Sequence, residues 1–270
     1  MSIVKKVWSV IRYPMLWLAV LTGICFVYVT GSLISVGEFV VSDEVSAVIR
    51  AGADSMLFIT SAWVLTFFML HKEWRRKNFW RKGKVTSALI PLCIVLGVAM
   101  SVFFVAIFSM IDVVRESSEY ISIVKGFTGG NIVLLILCRV LAGPFVQEVM
   151  FRGIILRDLS QKMRVMTAVI IQALLFAVIH VSFLQGIYAL IGGIVIGLIF
   201  LWLDSLWAAL AVHLAFNAAL IGVLSINMSR PFLIAAAIGG LVVSVAAVYL
   251  IYNSAKRLFS AKIVLKGSTE

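Results

Sequence analysis

The chain has 270 residues, of which 63% are hydrophobic and only 13% charged. Its mean hydropathy is +1.12, and together these values exclude a soluble globular domain. The net charge of +11 does not indicate a nucleic-acid partner, because the basic residues stand in clusters between apolar runs, as the positive-inside rule describes for polytopic membrane proteins.

Eight apolar segments follow in chain order, at about 14–36, 55–71, 87–111, 131–157, 165–184, 186–203, 205–226 and 232–252. Each has the length of a membrane-crossing helix, so the expected fold is all-α, a polytopic integral membrane protein with about eight transmembrane helices. Lys5, Lys6 and Arg12 precede the first run like the charged start of a signal peptide, but that run is too long for one and reads as a retained span. The first loop is acidic, with Glu38, Asp43, Glu44 and Asp54 against Arg50. The second holds Lys72, Arg75, Arg76, Lys77, Arg81, Lys82 and Lys84, with Trp74, Phe79 and Trp80 among them. Such a segment suits a position against anionic headgroups.

The alternation continues. Asp112, Glu116 and Glu119 face Arg115 and Lys125 in the third loop; Arg157, Lys162 and Arg164 follow the fourth span; Lys256, Arg257, Lys262 and Lys266 follow the eighth. Counting Arg152 with the inner side, 18 of the 23 basic residues fall on one side and four on the other, with Arg139 inside a span. Both termini are therefore expected in the cytoplasm, with membrane lipids as partners. Three regions follow: 1–130 with three spans and the basic cytoplasmic loop, 131–226 with the polar core, and 227–270 with the eighth span and a basic tail. Gly193-Ile-Val-Ile-Gly197 is a small-xxx-small pattern of the kind that packs helices. Cys25, Cys93 and Cys138 are widely spaced in apolar runs and read as small packing residues.

Ionisable side chains inside hydrocarbon are costly and persist mainly where they face a polar interior with a task. Glu148, Arg152, His180 and His213, with Asn217, therefore predict an intramembrane polar site built from helices 4–7. Glu148 and Arg152 are four residues apart and share a helix face, where they can pair. Phe176 stands one turn before His180, and His213 one turn before Asn217. Imidazole can transfer a proton or ligate a metal, carboxylate can activate water, and Asn217 can donate to a developing oxyanion. Arg139 has three open readings: it snorkels outward, pairs with a distant acid, or contacts a substrate carboxylate. His71 lies beside the basic loop and needs no role. His-Glu-x-x-His, Gly-x-Ser-x-Gly and a phosphate-binding loop are all absent. A proton-coupled transporter is a rival, but the inverted repeats it predicts are not visible. One spacing is awkward: with the fifth span drawn to 184, His180 sits on the order of 10 Å from the level of Glu148 and His213. A kink at Pro144, or a tilted or later fifth span, would remove the mismatch.

Gln147-Glu148-x-x-Phe151-Arg152-Gly153, then Phe176-x-x-x-His180, then His213-x-x-x-Asn217 resembles the CAAX-processing and bacteriocin-processing (CPBP, or Abi) family of intramembrane proteases, over roughly residues 130 to 225. The resemblance implies an endopeptidase that hydrolyses a peptide bond of a membrane-associated protein or peptide with an activated water. It implies that the first motif glutamate activates the water, that His180 holds it, and that His213 with Asn217 polarises the scissile carbonyl. A divalent metal such as zinc on His180, His213 and Glu148 is one version of that chemistry, and a metal-free site is the other. A bacterial plasma membrane is the expected location. The family begins its motif with two glutamates, whereas this chain has Gln147 before Glu148, and a carboxamide accepts no proton near neutral pH. Three explanations follow: Glu148 is the base with Gln147 orienting, the protein is a catalytically impaired scaffold, immunity or regulatory protein of the same fold, or the glutamine is an introduced change.

Overall fold

The computed structural model describes residues 79, 80, 83, 85–129, 132–180 and 182–267. The expected first and second spans, most of the basic loop with Trp74, and His71 and Cys25 lie outside the described residues. Every described element is helical. The first, α1 (Leu89–Met110), ends where Ile111 turns extended. Two short helices follow, α2 (Asp112–Arg115) and α3 (Ser118–Thr128), and α3 starts where the Ser117 hydroxyl accepts from the Tyr120 amide.

The fourth segment is a rod in five pieces: α4 (Ile132–Leu135), a π-helix π1 (Ile136–Ala142), α5 (Gly143–Glu148), a second π-helix π2 (Val149–Leu156) and α6 (Arg157–Ser160). Pro144 stands in the first turn of α5 and has no N–H to give to the α-helical ladder, and the wider π turn immediately precedes it. π segments inside α-helices occur disproportionately at functional positions. The motif residue Arg152 and the span residue Arg139 both fall in π turns.

The remaining helices are α7 (Val165–Val178), α8 (Phe183–Leu203), α9 (Leu206–Leu224) and α10 (Arg230–Gly267). Among the described residues, four helices are long and apolar enough to cross a membrane: Leu89–Met110, Phe183–Leu203, Leu206–Leu224 and Arg230–Leu258. They match the expected third, sixth, seventh and eighth spans, and the eighth continues as helix into its basic tail. The fifth departs from expectation. It stops at Val178 rather than 184, a rise of about 21 Å that is short of a bilayer core of about 30 Å. The chain breaks there because the next helix starts its own cap, with Ser182 accepting from the Gln185 amide.

α1 lies along both α9 and α10, and α7 along α8. Glycines permit these approaches: a Cβ on Gly97 would stand 2.2 Å from the Val212 carbonyl oxygen of α9, and one on Gly193 3.1 Å from Ala173 of α7. Gly193 and Gly197 thus serve helix packing, as the small-xxx-small pattern indicated. Cys93 and Cys138 are buried free thiols. Gly83, at φ +62, closes against the α8–α9 turn, where any Cβ would collide with the Leu203 and Asp204 carbonyls. Phe79 corrects the headgroup reading of its segment. It is buried in the core, in a slot that exists because Gly153 has no side chain: a Cβ there would lie 2.7 Å from the Phe79 ring. Trp80 stacks on Phe145 at 5.8 Å, and its carbonyl accepts from the Trp207 indole at 3.1 Å.

Candidate active site

Helix geometry separates the two residues of the motif dyad. Gln147 and Glu148 are neighbours in α5, and consecutive helical residues point about 100° apart. Gln147 lines a cavity of about 330 Å³ that it shares with His180, His213, Asn217, Arg139 and Tyr188. Glu148 does not line it. The Glu148 side chain is fully buried, and its Oε1 meets Nδ1 of His213 at 2.7 Å and accepts from Nη1 of Arg152 at 2.8 Å. Its other oxygen is buried without a hydrogen-bond partner among the described residues.

Arg152 is buried as well. Its guanidinium lies 4.6 Å over the Phe176 ring and gives a long 3.5 Å contact to the Gly193 carbonyl. The pair fixes packing and at the same time sets the imidazole. With Nδ1 of His213 facing a carboxylate, its Nε2 is the nitrogen left for the cavity.

His180 reaches the same place by a different device. It follows the end of α7 in a turn, and its Nδ1 stands 2.8 Å from the Phe176 carbonyl oxygen, to which it donates in the neutral ring. Phe176 is the common wall, with its ring 4.8 Å from His180, 5.8 Å from His213 and 5.1 Å from Phe151. The offset expected for His180 therefore disappears: α7 ends early and the histidine folds back over its last turn. Asn217 donates from Nδ2 to the Arg139 carbonyl at 2.7 Å, tying α9 to π1. Arg139 does not snorkel outward. It sits on the cavity wall with its guanidinium 5.0 Å over the Phe127 ring of α3.

Two features escaped sequence reasoning. Tyr188 of α8 lines the cavity, 6.4 Å from the His180 ring and 5.6 Å from Phe216. Gln185 and Tyr188, polar at helical spacing inside an apolar run, were the available signal. Glu119 of α3 accepts from the Ser182 hydroxyl at 2.5 Å and the Leu184 amide at 3.0 Å, so it caps α8 beside His180. The Ser182 hydroxyl, and then the Leu184 amide, hold its carboxyl below the usual carboxylate range. That contact spans more than sixty residues and leaves no mark in the local sequence.

The metal set of His180, His213 and Glu148 is not assembled. Nδ1 of His213 and Oε1 of Glu148 are turned toward each other, and among the described residues no three His, Cys, Asp or Glu side chains converge on one point. Beside its imidazoles the cavity presents carboxamides, the Tyr188 phenol and the Cys138 thiol but no described carboxylate, a donor set that does not fit a zinc site of the histidine–carboxylate type.

The site thus joins a buried carboxylate, two imidazoles and a carboxamide among helices apolar enough to cross a membrane. Residues 129–219 match the family model described as type II CAAX prenyl endopeptidase Rce1-like, so this segment is similar to that family, in keeping with the resemblance its motifs carry. No curated protein and no solved structure gives a match.

Proposed function

We propose that the protein is an intramembrane endopeptidase that hydrolyses a peptide bond of a membrane-associated protein or peptide with an activated water, and that eight helices cross the membrane with the site among the fourth to seventh. The observation that carries this reading is the 2.7 Å contact between Glu148 and Nδ1 of His213, which turns Nε2 toward the cavity. In this reading His213 is the proton acceptor. Its Nε2 takes a proton from water as the water oxygen attacks the carbonyl carbon. The carbon–nitrogen bond then breaks, and Nε2 returns the proton to the leaving amine. Glu148 holds the tautomer and stabilises the imidazolium, and Arg152 balances its charge. His180 and Gln147 orient the water, and the second N–H of Asn217 supports the oxyanion. Glu148 thus acts through His213 and does not meet the water, in keeping with its position behind the ring.

A second reading has its own support. Gln147 occupies the cavity wall where the family places its first glutamate, which favours a catalytically impaired scaffold, immunity or regulatory protein. The protein in lipid nanodiscs, given a mixed peptide library, separates the two. Cleavage by the native chain that falls by at least about 100-fold in Glu148→Gln and His213→Ala supports the endopeptidase. Cleavage only in Gln147→Glu supports the impaired form, and cleavage that is unaltered in His213→Ala rejects the mechanism.

The match to CAAX prenyl endopeptidases suggests a lipid-anchored polypeptide substrate. The charge pattern supports both termini in the cytoplasm of a bacterial plasma membrane, with residues 131–226 as the catalytic core between the N-terminal region 1–130 and the last span with its tail, 227–270.

A further inference from the structure

The cavity belongs to one end of the helices. On α8 its lining runs from Gln185 to Ile196, a rise of about 16 Å, and on α9 it stops at Val212. Both limits fall about 9–10 Å short of the α8–α9 turn. Between the cavity and that turn the space is filled: Ile199, Phe200, Leu203 and Leu206 are each 2% exposed or less. Gly83 closes on the turn itself, against the Leu203 and Asp204 carbonyls. At the other end the lining includes His180, just past α7, and Phe127 of α3. The cavity therefore reaches toward α3 and the α7–α8 turn and has a packed floor on the opposite side.

The basic residues tell the two ends apart. The segment that leads through Gly83 into α1 has seven of them from Lys72 to Lys84, and Arg157, Lys162 and Arg164 stand at the same end of the chain's path. The cavity end has Arg115, Lys125 and Arg230. Lys and Arg in short loops mark the cytoplasmic side, so the floor faces the cytoplasm. We infer that the site is entered from the extracytoplasmic side and that its substrate is a polypeptide at the outer leaflet. The inference rests on the proposed endopeptidase and deepens it by naming where the substrate stands. A polypeptide anchored in the inner leaflet meets the packed floor. The attacking water enters from the external medium, through the same opening as the substrate.

The test reads the opening and the cleavage separately. The full chain, freed of its own thiols by Cys25→Ser, Cys93→Ala and Cys138→Ala, receives a single cysteine. This is Gln185→Cys on the cavity wall or Thr86→Cys, exposed before α1. Each is treated with a permanently charged methanethiosulfonate in right-side-out and in inverted membrane vesicles. Gln185→Cys is expected to react at least about tenfold faster in right-side-out vesicles, and Thr86→Cys at least about tenfold faster in inverted ones, since the reacting thiolate must meet the reagent in water. Ser122→Cys, exposed on α3, is expected to follow Gln185→Cys and reads the same end if that variant does not fold. Faster reaction of the α3 or cavity cysteine in inverted vesicles, or no reaction of Gln185→Cys from either side, overturns the inference. The native chain is then given a mixed peptide library too polar to cross the bilayer. Cleavage in right-side-out vesicles supports the side assigned to the substrate, and cleavage confined to inverted vesicles overturns it. A protein labelled from outside that cleaves nothing in either orientation overturns the endopeptidase and leaves the outward opening of the cavity in place.

Discussion

Two charges with no exposed surface, Glu148 and Arg152, hold each other at 2.8 Å in the centre of the described helices. A buried ion pair contributes little net stability, yet removing one partner strands the other and costs about 3–5 kcal/mol. Arg152→Met is therefore expected to lower thermal stability markedly, and Glu148→Gln/Arg152→Met to recover part of the loss, as read from melting curves of the purified protein. Equal melting of Arg152→Met and the native chain would show that the Glu148–Arg152 contact does not hold the fold together. Sequence reasoning found these residues because polar side chains in apolar runs are conspicuous. It could not find the division of labour between Gln147 and Glu148. Adjacent positions look alike on a line, but about 100° of helical rotation sends one to the cavity and the other behind His213. Nor could spacing reveal that Arg139 is drawn to Phe127, because α3 approaches π1 only in the folded chain.

At the scale of elements, apolar length identified the third, sixth, seventh and eighth spans, each a continuous helix. It misjudged the fifth, because apolar residues continue past the true end of α7 and only the Ser182 cap marks the break. The fourth was legible as a span but not as alternating α and π turns, which depend on backbone bonding around Pro144. Gly153 illustrates how an element is placed by a residue that looks like motif decoration. Its missing Cβ admits Phe79, whose ring also meets the Arg157 guanidinium at 5.3 Å. Gly153→Ala is expected to cost about 1–3 kcal/mol through overpacking, and Phe79→Leu in the same chain to restore part of it. Both are read as shifts in melting temperature. Additive losses in the double variant would mean that the two positions do not compete for the same space.

At the scale of the whole molecule, the loops touch one another in two separate places. Gly83, in the basic segment expected inside, closes on the Leu203–Asp204 turn, and Phe79 meets Arg157 after the fourth segment. On the opposite side, Glu119 of the third loop holds Ser182 and Leu184 between the fifth and sixth spans. These contacts form two sets at opposite ends of α8, and the charge pattern alone assigns each end to a side. A fluorescent protein that matures only in the cytoplasm is accordingly expected to be bright when fused after Glu270, and dark when fused to a chain ended at Thr128. The reverse pattern would invert the orientation.

The contact of Glu119 with Ser182 and Leu184 also carries a pH dependence. The folded-state pKa of Glu119 is depressed by its bonds to Ser182 and Leu184, so the clamp's contribution is complete above the ordinary carboxylate value of 4.5. It is lost as the pH falls through the lower folded value. Hydrogen exchange at the Leu184 amide, corrected for its intrinsic rate, is therefore expected to show constant protection from neutral pH to about 4.5 and a decline below it. Glu119→Gln has no such titration and should give weaker, pH-independent protection. The same decline in both chains would place the acid-sensitive group elsewhere.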